Sequence, residues 1–507
     1  MTQRHGSRIC RLLVSFTLLI SSAAFSQTSQ PATGPASQPT TAKPDLILLH
    51  SNDIHDTLKN TPQGGIAYLS TFIHEAKAKN PNVLAVNCGD MLQKGDLFSV
   101  VAQGVPAYEA LKMTGTDVTV PGNHDFAYGA DLLLKKCKEI GMPVICDNVF
   151  DPKTHKRLFP PTLEMNVDGV RVGLIGGTVV PSGTNRAKQQ GAAPAKDRLI
   201  TDTESLGKDV DQLSREMDSR VDLTIVIFHN GTQGGIKVAE LAPDVDIVVC
   251  GHSNEVTNQP IVTKTGALVV DAGRAAERAG EMQIVLDKPN KKIKSYSYKM
   301  VKMDPAVIKP DEKIVKQVAA WEKEYLSENT ASLATLPAAI TGEARADFLG
   351  NAILEGTKVD VVMVDGGIFR ASLPKGPIST DQLYKTIQPR YNSPIATFTV
   401  TGEQLKKLIQ FRLSNGEVPI VRGVAIKMDG KAKSIVSSSI DPMRKYKVAT
   451  YQAFIIEPNH RPTSIKGPLD EMKIQPEVGK KKTLDYMIDY VSSKYPASSQ
   501  PASQDME

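Results

Sequence analysis

Nine histidines occur in this 507-residue chain, and four of them share one setting: a short apolar run followed by a polar loop. Asp53 and His55 follow LILLHS, and Asp90 follows VLAVN. Asn123, His124 and Asp125 follow VTV, His229 and Asn230 follow LTIVIF, and His252 and Asn254 follow DIVVC. A single histidine at such a place is usually a packed, hydrogen-bonded side chain. Five consecutive exits rich in Asp, His and Asn point instead to oxygen and imidazole donors for a divalent ion such as Mn, Zn, Co or Fe. Two ions about 3.5–4 Å apart and bridged by a carboxylate form the centre that hydrolyses phosphate esters. Cys88 and Cys250 each stand two residues before one of these groups and read as small packed hydrophobes rather than ligands.

The elements that must position these residues are legible as pattern. DLILLHSND, NVLAVNCGD, VTVPGNHD, VRVGLIGGT, LTIVIFHNG, VDIVVCGHS and ALVVDAG read as buried strands running into loops. Residues 65–80 and 108–115 read as intervening helices, which gives an α/β layered architecture. After EMQIVLD, a charged helical stretch holding the only Trp (304–335) reads as an interdomain helix. A second α/β unit follows at 336–490, with VDVVMVDGG, IATFTVTG, VAIKMDG and YKVATYQAF as strands.

The ordered set Asp53-Ile-His55, Gly89-Asp90, Gly122-Asn123-His124-Asp125, His229 and Gly251-His252-Ser-Asn254 resembles the calcineurin-like metallophosphoesterases. With YEALKMTGTDVTVPGNHDFAYG and a second domain, it is similar to their 5′-nucleotidase/UDP-sugar hydrolase family over about residues 45–455. That resemblance implies a four-layer α/β/β/α metallophosphoesterase domain at 45–303 and a C-terminal α/β substrate domain of the 5′-nucleotidase type. It implies two divalent ions, one on Asp53 and His55, the other on Asn123, His229 and His252, with Asp90 bridging. Asn254, where a second His is common, is a weaker ligand of the first ion. His124 would face the scissile phosphate, stabilise its charge and help protonate the leaving oxygen. Arg345 and Arg370 correspond to residues that bind substrate anions; Asp365 stands where Asn is usual, beside two glycines, and reads as a cap on that turn rather than a substrate contact.

Three departures matter. The family places an Asp three residues after this His to orient it, and here that residue is Ala127. Val418 occupies the place of one base-stacking Phe, and the G-G-D-G loop that carries the other is absent after YKVATYQAFIIEP. The expectation is a phosphate-ester hydrolase acting on a small molecule. Its alternatives are a non-nucleotide or sulphur-linked substrate, or a metal-binding scaffold that has lost turnover.

Arg4, Arg8 and Arg11 precede the apolar run 12–20, and small residues follow, the layout of a secretory signal peptide at 1–26. The run is too short to span a bilayer, and no Cys follows it closely, which argues against a membrane anchor. An exported, periplasmic or extracellular protein is expected. Without this segment, which carries three Arg and no acid, the formal charge falls from +5 to +2. Near-neutrality offers no reason to expect nucleic acid as partner. Residues 27–44 and 491–507, rich in Pro, Ser, Thr and Ala, read as a flexible linker and tail. Cys137 and Cys146 are open to pairing or to burial as free thiols, and no feature of the sequence sets an oligomeric state.

Overall fold

The computed structural model describes residues 36–37, 43–179, 198–326, 332–388, 391–456 and 464–497. The expected signal peptide, most of the linker and the last residues of the tail lie outside the described residues.

The first unit is two six-stranded sheets. In chain order their strands are β1 (Ala36–Ser37), β2 (Leu46–Ser51), β3 (Val83–Asn87), β4 (Val118–Thr119), β5 (Thr162–Val167), β6 (Val170–Thr178), β7 (Leu223–His229), β8 (Ile247–Cys250), β9 (Ile261–Val262), β10 (Leu268–Asp271), β11 (Arg278–Asp287) and β12 (Lys292–Lys302). One sheet runs β1-β12-β11-β2-β3-β4 and the other β9-β10-β8-β7-β6-β5.

Strand alternation builds the layers. Leu46, Leu48, Leu84 and Val86 join Val172, Leu174, Ile225 and Ile227 in one buried cluster between the sheets. Their neighbours Ile47, Leu49, Val83 and Ala85 turn the other way. They meet helices α1 (Ile66–Lys79) and α3 (Val105–Met113), while α2 (Leu97–Val101) and α4 (Ala130–Ile140) complete that side. Val226, Phe228 and Val248 pack on the far side under α5 (Thr203–Asp218) and α6 (Gly231–Leu241). The order is therefore α/β/β/α. Both faces of every central strand are covered, which is why LILLHS and LTIVIFH read as unbroken apolar runs.

Within each sheet the central strands are parallel: β2, β3 and β4 in one, β6, β7, β8 and β10 in the other. Parallel strands deliver their C-terminal loops to one edge, the usual place for ligands in such sheets. That edge receives Asp53, Asp90, Asn123, His229 and His252.

Helix α7 (Glu312–Leu326) lies within the stretch expected as an interdomain helix. It is not a free-standing spacer, because Ile314, Val318 and Trp321 are buried. Its N-terminal flank is tied to α1 by Asp311 N–H to Ala67 O (2.9 Å) and Ser70 Oγ to Asp311 Oδ2 (2.7 Å).

The second unit centres on strands β13 (Val361–Asp365), β14 (Pro394–Thr401), β15 (Pro419–Arg422), β16 (Lys445–Tyr451) and β17 (Glu477–Lys482), in the order β15-β13-β16-β14-β17. Around it lie α8 (Ala344–Thr357), α9 (Thr380–Thr386), α10 (Gly402–Ser414) and α11 (Thr483–Lys494). Asp365 is buried and accepts from Gly367 N–H (2.8 Å) and Tyr391 OH (2.7 Å), with Arg412 Nη2 at 3.4 Å. It caps the turn ahead of its glycines.

Two expectations about the ends need correction. Ala36 and Ser37, placed in the flexible linker, pair in parallel with β12. That strand would otherwise be a sheet edge, and an edge's open N–H and C=O groups pair with backbone whatever the side chains. At the other end α11 continues past 490 to Lys494, and Tyr495 O accepts from Thr335 N–H (3.0 Å). The buried side of Val491 carries the helix into a segment whose composition reads as tail. All four cysteines described are buried and free, so Cys137 and Cys146 are not bridged.

Candidate metal centre

The five strand exits converge. Candidate ligand atoms of Asp53, His55 and Asp90 lie within 4.8 Å of one another, as do those of Asp90, His229 and His252. Asp90 is common to both groups. His55 Nε2 is 3.4 Å from Asp53 Oδ1 and 3.7 Å from Asp90 Oδ2, while His229 Nε2 is 3.2 Å from Asp90 Oδ2 on the other side. Asn123 Oδ1 lies 2.8 Å from His252 Nδ1. Asn254 is exposed, as is His252, and its amide donates to His252 O (3.1 Å).

The backbone at these positions is unusual. Asp53, His55, Asp90, His252 and Asn254 have φ of 53°, 53°, 54°, 81° and 56°, the left-handed region that non-glycine residues avoid. Sparsely populated backbone of this kind costs about 1–3 kcal/mol per residue and persists where the surroundings impose it, often at functional sites.

The glycines of the motifs have a steric reason to be glycines. A Cβ on Gly122 would come within 2.1 Å of Asp90 Oδ1 and 2.5 Å of Asp90 N. One on Gly251 would meet Cys88 O at 2.8 Å, and Asp53 Oδ2 and His229 Nδ1 at 3.0 Å. Gly89, at φ 75°, approaches Gly122 N. Gly122 and Gly251 thus press bare backbone against side chains of the cluster, and Gly89 lets two of the loops meet backbone to backbone.

Hydrogen bonds fix the side chains from behind. His55 Nδ1 is 3.1 Å from Leu92 O and His229 Nδ1 is 2.6 Å from Cys88 O, which turns both Nε2 atoms towards Asp90. Asp53 Oδ2 accepts from Asn52 Nδ2 (2.7 Å) and His252 N–H (2.8 Å). Asp125 does not face the site. Its carboxylate accepts from the N–H groups of Gly122 (2.7 Å), Asp90 (2.8 Å), Met91 (2.9 Å) and Leu92 (3.1 Å), clamping two of the loops together.

Asp53 Oδ1 and His229 Nε2 are buried and make no well-aligned hydrogen bond, their polar neighbours being His55 Nε2 (3.4 Å) and Asp90 Oδ2 (3.2 Å) of the cluster itself. Buried polar atoms are seldom left so, and an ion is one of the few partners that would satisfy both. Charge agrees. Burial acts to raise Asp53 and Asp90, yet the neighbouring imidazoles hold both carboxyls below their ordinary range. Burial acts to lower His229, yet the Asp90 carboxylate lifts it to about 9. The cluster favours positive charge between its ligands, and its oxygen and imidazole donors fit divalent ions.

His124 stands beside this cluster. Its N–H donates to Asp90 Oδ1 (2.8 Å), its ring meets His55 edge-on at 5.1 Å, and its Nδ1 lies 2.5 Å from Gln93 Oε1. Ala127 is exposed and offers His124 only a backbone bond to its carbonyl (3.0 Å).

Arg345 and Arg370 differ in placement. Arg345 donates to Gly342 O and Ala371 O (3.2 Å each), with its guanidinium 5.1 Å from the Phe369 ring centre. Arg370 lies near Lys94 and Arg274 of the first unit, all within electrostatic reach of one another, and Lys94 Nζ is 3.0 Å from His55 Nε2. Sequence reasoning missed Gln93, Lys94 and Arg274. Arg274 follows the exit of β10 and was open to the same strand-end rule. Gln93 and Lys94 are brought in by left-handed turns, at φ 65° and 79°, that no sequence pattern announces. Val418, at the stacking position, is 47% exposed.

The motifs, their order and this geometry coincide with family likeness. Residues 46–255 match the calcineurin-like phosphoesterase family and residues 328–457 match the 5′-nucleotidase C-terminal domain. The chain belongs to the calcineurin-like phosphoesterases that carry a 5′-nucleotidase C-terminal domain. Among its relatives are endonuclease YhcR of Bacillus subtilis, 25% identical over 73% of this chain, and mouse 5′-nucleotidase, 28% identical over 41%. The matched parts are 33% and 38% of those proteins' own lengths, so the chain spans little more than a third of them. A 5′-nucleotidase precursor from Thermus thermophilus has the same fold, with TM-score 0.68 at 21% identity over 88% of this chain and 96% of that one. A sulfate thiohydrolase from the same organism shares it at TM-score 0.63 and 16% identity, over 90% and 95%. Among the described residues no helix is long and apolar enough to cross a membrane.

Proposed function

We propose that this phosphoesterase is an exported hydrolase of small phosphate esters, dependent on two divalent ions. The observation that carries this reading is the sharing of Asp90 between two groups of ligands. Asp53 and His55, with Asn254 as a weak donor, would hold one ion; Asn123, His229 and His252 would hold the other. Such ions polarise a phosphoryl oxygen and lower the pKa of a water to make it nucleophilic. The chain's own groups do the rest. His124, fixed through its N–H to Asp90, would stabilise charge on the phosphoryl group and give a proton to the leaving oxygen. Arg370, Lys94 and Arg274 would attract the substrate's anionic end at the boundary between the two units. Arg345, bonded to two carbonyls, would reach the substrate only by leaving them. The layout of residues 1–26 is the ground for export.

An exposed Val418 in place of a stacking ring leaves a nucleobase little to rest on, which favours an ester without one. Ala127 favours a second reading, a sulphur-linked anion whose departure needs little protonation. The deciding experiment is release of phosphate or sulfate by the mature chain reloaded in turn with Mn, Zn, Co, Fe and Mg. The panel would include AMP, a sugar phosphate, an aryl phosphodiester and a thiosulfonate ester, with Asp90→Asn as control. Metal-dependent release that the control abolishes supports a hydrolase, and the preferred compound separates the two readings. No release with metal verified as bound would refute both and leave a scaffold without turnover.

A further inference from the structure

A buried or half-buried imidazole that must move a proton needs an acceptor at its far nitrogen to hold one ring orientation and one tautomer. The residue expected to serve here, three after the His, is Ala127, which has no polar atom to offer. Asp125 is fully engaged with four backbone N–H groups. The side-chain partner that His124 Nδ1 has is the Gln93 amide oxygen, at 2.5 Å.

Gln93 is itself held in place. It sits at φ 65°, and its N–H donates to the Asp56 carboxylate, which also accepts from Ser99 Oγ (2.6 Å). Asp56 is buried, and its own N–H donates to Met91 O (2.7 Å). Two residues on, a Cβ at Gly95 would collide with the Asp56 carbonyl at about the length of a bond and a half, so only glycine lets the loop close over Asp56. The strained turn at Gln93 is thus fastened on both sides, and it aims one amide oxygen at one imidazole nitrogen.

Resting on the role given above to His124, we propose that Gln93 is its positioning residue, an amide doing from the loop after Asp90 what a carboxylate three residues after the His does in relatives. The amide oxygen accepts the Nδ1 proton, so in the neutral ring Nε2 keeps its lone pair for the cleft; when the ring gains a proton, Nε2–H is the one to be given to the leaving oxygen. An amide orients the ring without adding a negative charge.

The test compares Gln93→Leu, Gln93→Glu and the double variant Gln93→Leu/Ala127→Asp, with His124→Ala alongside and metal content measured in all. Two substrates are used: an alkyl phosphate, with a poor leaving group, and 4-nitrophenyl phosphate, with a good one. Nitrogen NMR of His124 in metal-free protein reports the tautomer independently of turnover. Gln93→Leu is expected to lose roughly 10–100-fold in kcat on the alkyl ester and less than about 3-fold on the aryl ester, a part of the roughly 100–10,000-fold that a positioned acid or base contributes. Metal content should stay unchanged, the Nδ1–H tautomer preference should disappear, and Gln93→Glu and the double variant should both regain alkyl-ester turnover. In folded protein, an equal loss on both esters, no rescue, or an unchanged His124 spectrum would overturn the positioning role; should Gln93→Leu misfold, loss of alkyl-ester turnover in folded Gln93→Glu with metal content kept would overturn it instead. If His124→Ala keeps full alkyl-ester turnover, the reading of His124 itself fails, and the NMR result then stands alone as a test of the contact.

Discussion

Gly122→Ala is the change most sharply defined by the structure. The added Cβ would stand 2.1 Å from Asp90 Oδ1 and 2.5 Å from Asp90 N. A carbon and an oxygen settle at a little over 3 Å, so one of the two loops must retreat by roughly 1 Å, and catalytic or metal-binding groups tolerate about 0.5 Å. The side chain cannot simply rotate away, because Asp90 Oδ1 also accepts from His124 N–H (2.8 Å) and Oδ2 faces His55 and His229. The loop cannot retreat freely either, since Gly122 N–H is held by Asp125. Overpacking of this sort costs about 1–3 kcal/mol, a fall in Tm on the order of 5 °C for a domain of this size. Elemental analysis should find less than the wild-type metal per chain, and hydrolysis should fall by at least about 100-fold, as a 1 Å misplacement can produce. A Gly122→Ala protein with wild-type metal content, Tm and turnover would refute the claim that this glycine exists to seat the Asp90 carboxylate.

Three further outcomes are expected. Chelation should lower Tm and abolish hydrolysis, with both restored by divalent metal; metal at 100 times its Kd is worth about 3 kcal/mol to the folded state, and an unchanged melt would count against a resident ion. Asp246, half-buried, has a carboxyl that burial pushes up to about 6, and it accepts from Thr224 N–H (2.9 Å). Its folded value lies above the unfolded one, so the stability it confers is complete below about pH 4 and is lost as pH rises through 6. Asp246→Asn should remove about 2–3 kcal/mol of that loss, seen as a flatter urea midpoint between pH 4 and 7; a parallel curve would contradict it. Lys385 pairs with Asp381 on its own helix (3.0 Å) and reaches Asp96 of the first unit (2.6 Å). Lys385→Met should destabilise by about 1 kcal/mol, the modest scale of partly exposed pairs, and urea unfolding that does not shift would show the bridge to be idle.

The two-unit α/β architecture was legible because its central strands are covered on both faces, so burial writes itself as unbroken runs such as LTIVIFH. Asp53, His55, Asp90, Asn123, His229 and His252 were legible because parallel strands end at one edge, which turns spacing along the chain into proximity. Ala36–Ser37 was not, since an edge strand is chosen by backbone groups that composition does not report. Val491 was missed because one buried side chain in a polar segment is too little signal. Gln93 and Lys94 were missed because their placement depends on consecutive left-handed turns, and neither residue type advertises them. Asp125 was read only as the last residue of the Gly122-Asn123-His124-Asp125 motif. Its true partners, four N–H groups from two loops, exist only once those loops have met.

The loop from Asp90 to Leu97 has a consequence for how the molecule can evolve. It begins at the carboxylate common to both groups of ligands, passes through Gln93 and Lys94, and ends where Leu97 N–H donates to Asp381 (3.2 Å) and Asp96 meets Lys385. Asp96 is also the acceptor for Leu58 and Lys59 N–H (2.9 Å each), on the loop that follows Asp53 and His55. An insertion or deletion here would shift the candidate ligand Asp90, the Gln93–His124 contact and the docking of the second unit together, so the loop's length is constrained at three points at once. Change in substrate preference has an easier route through surfaces such as Val418, which answer to none of them.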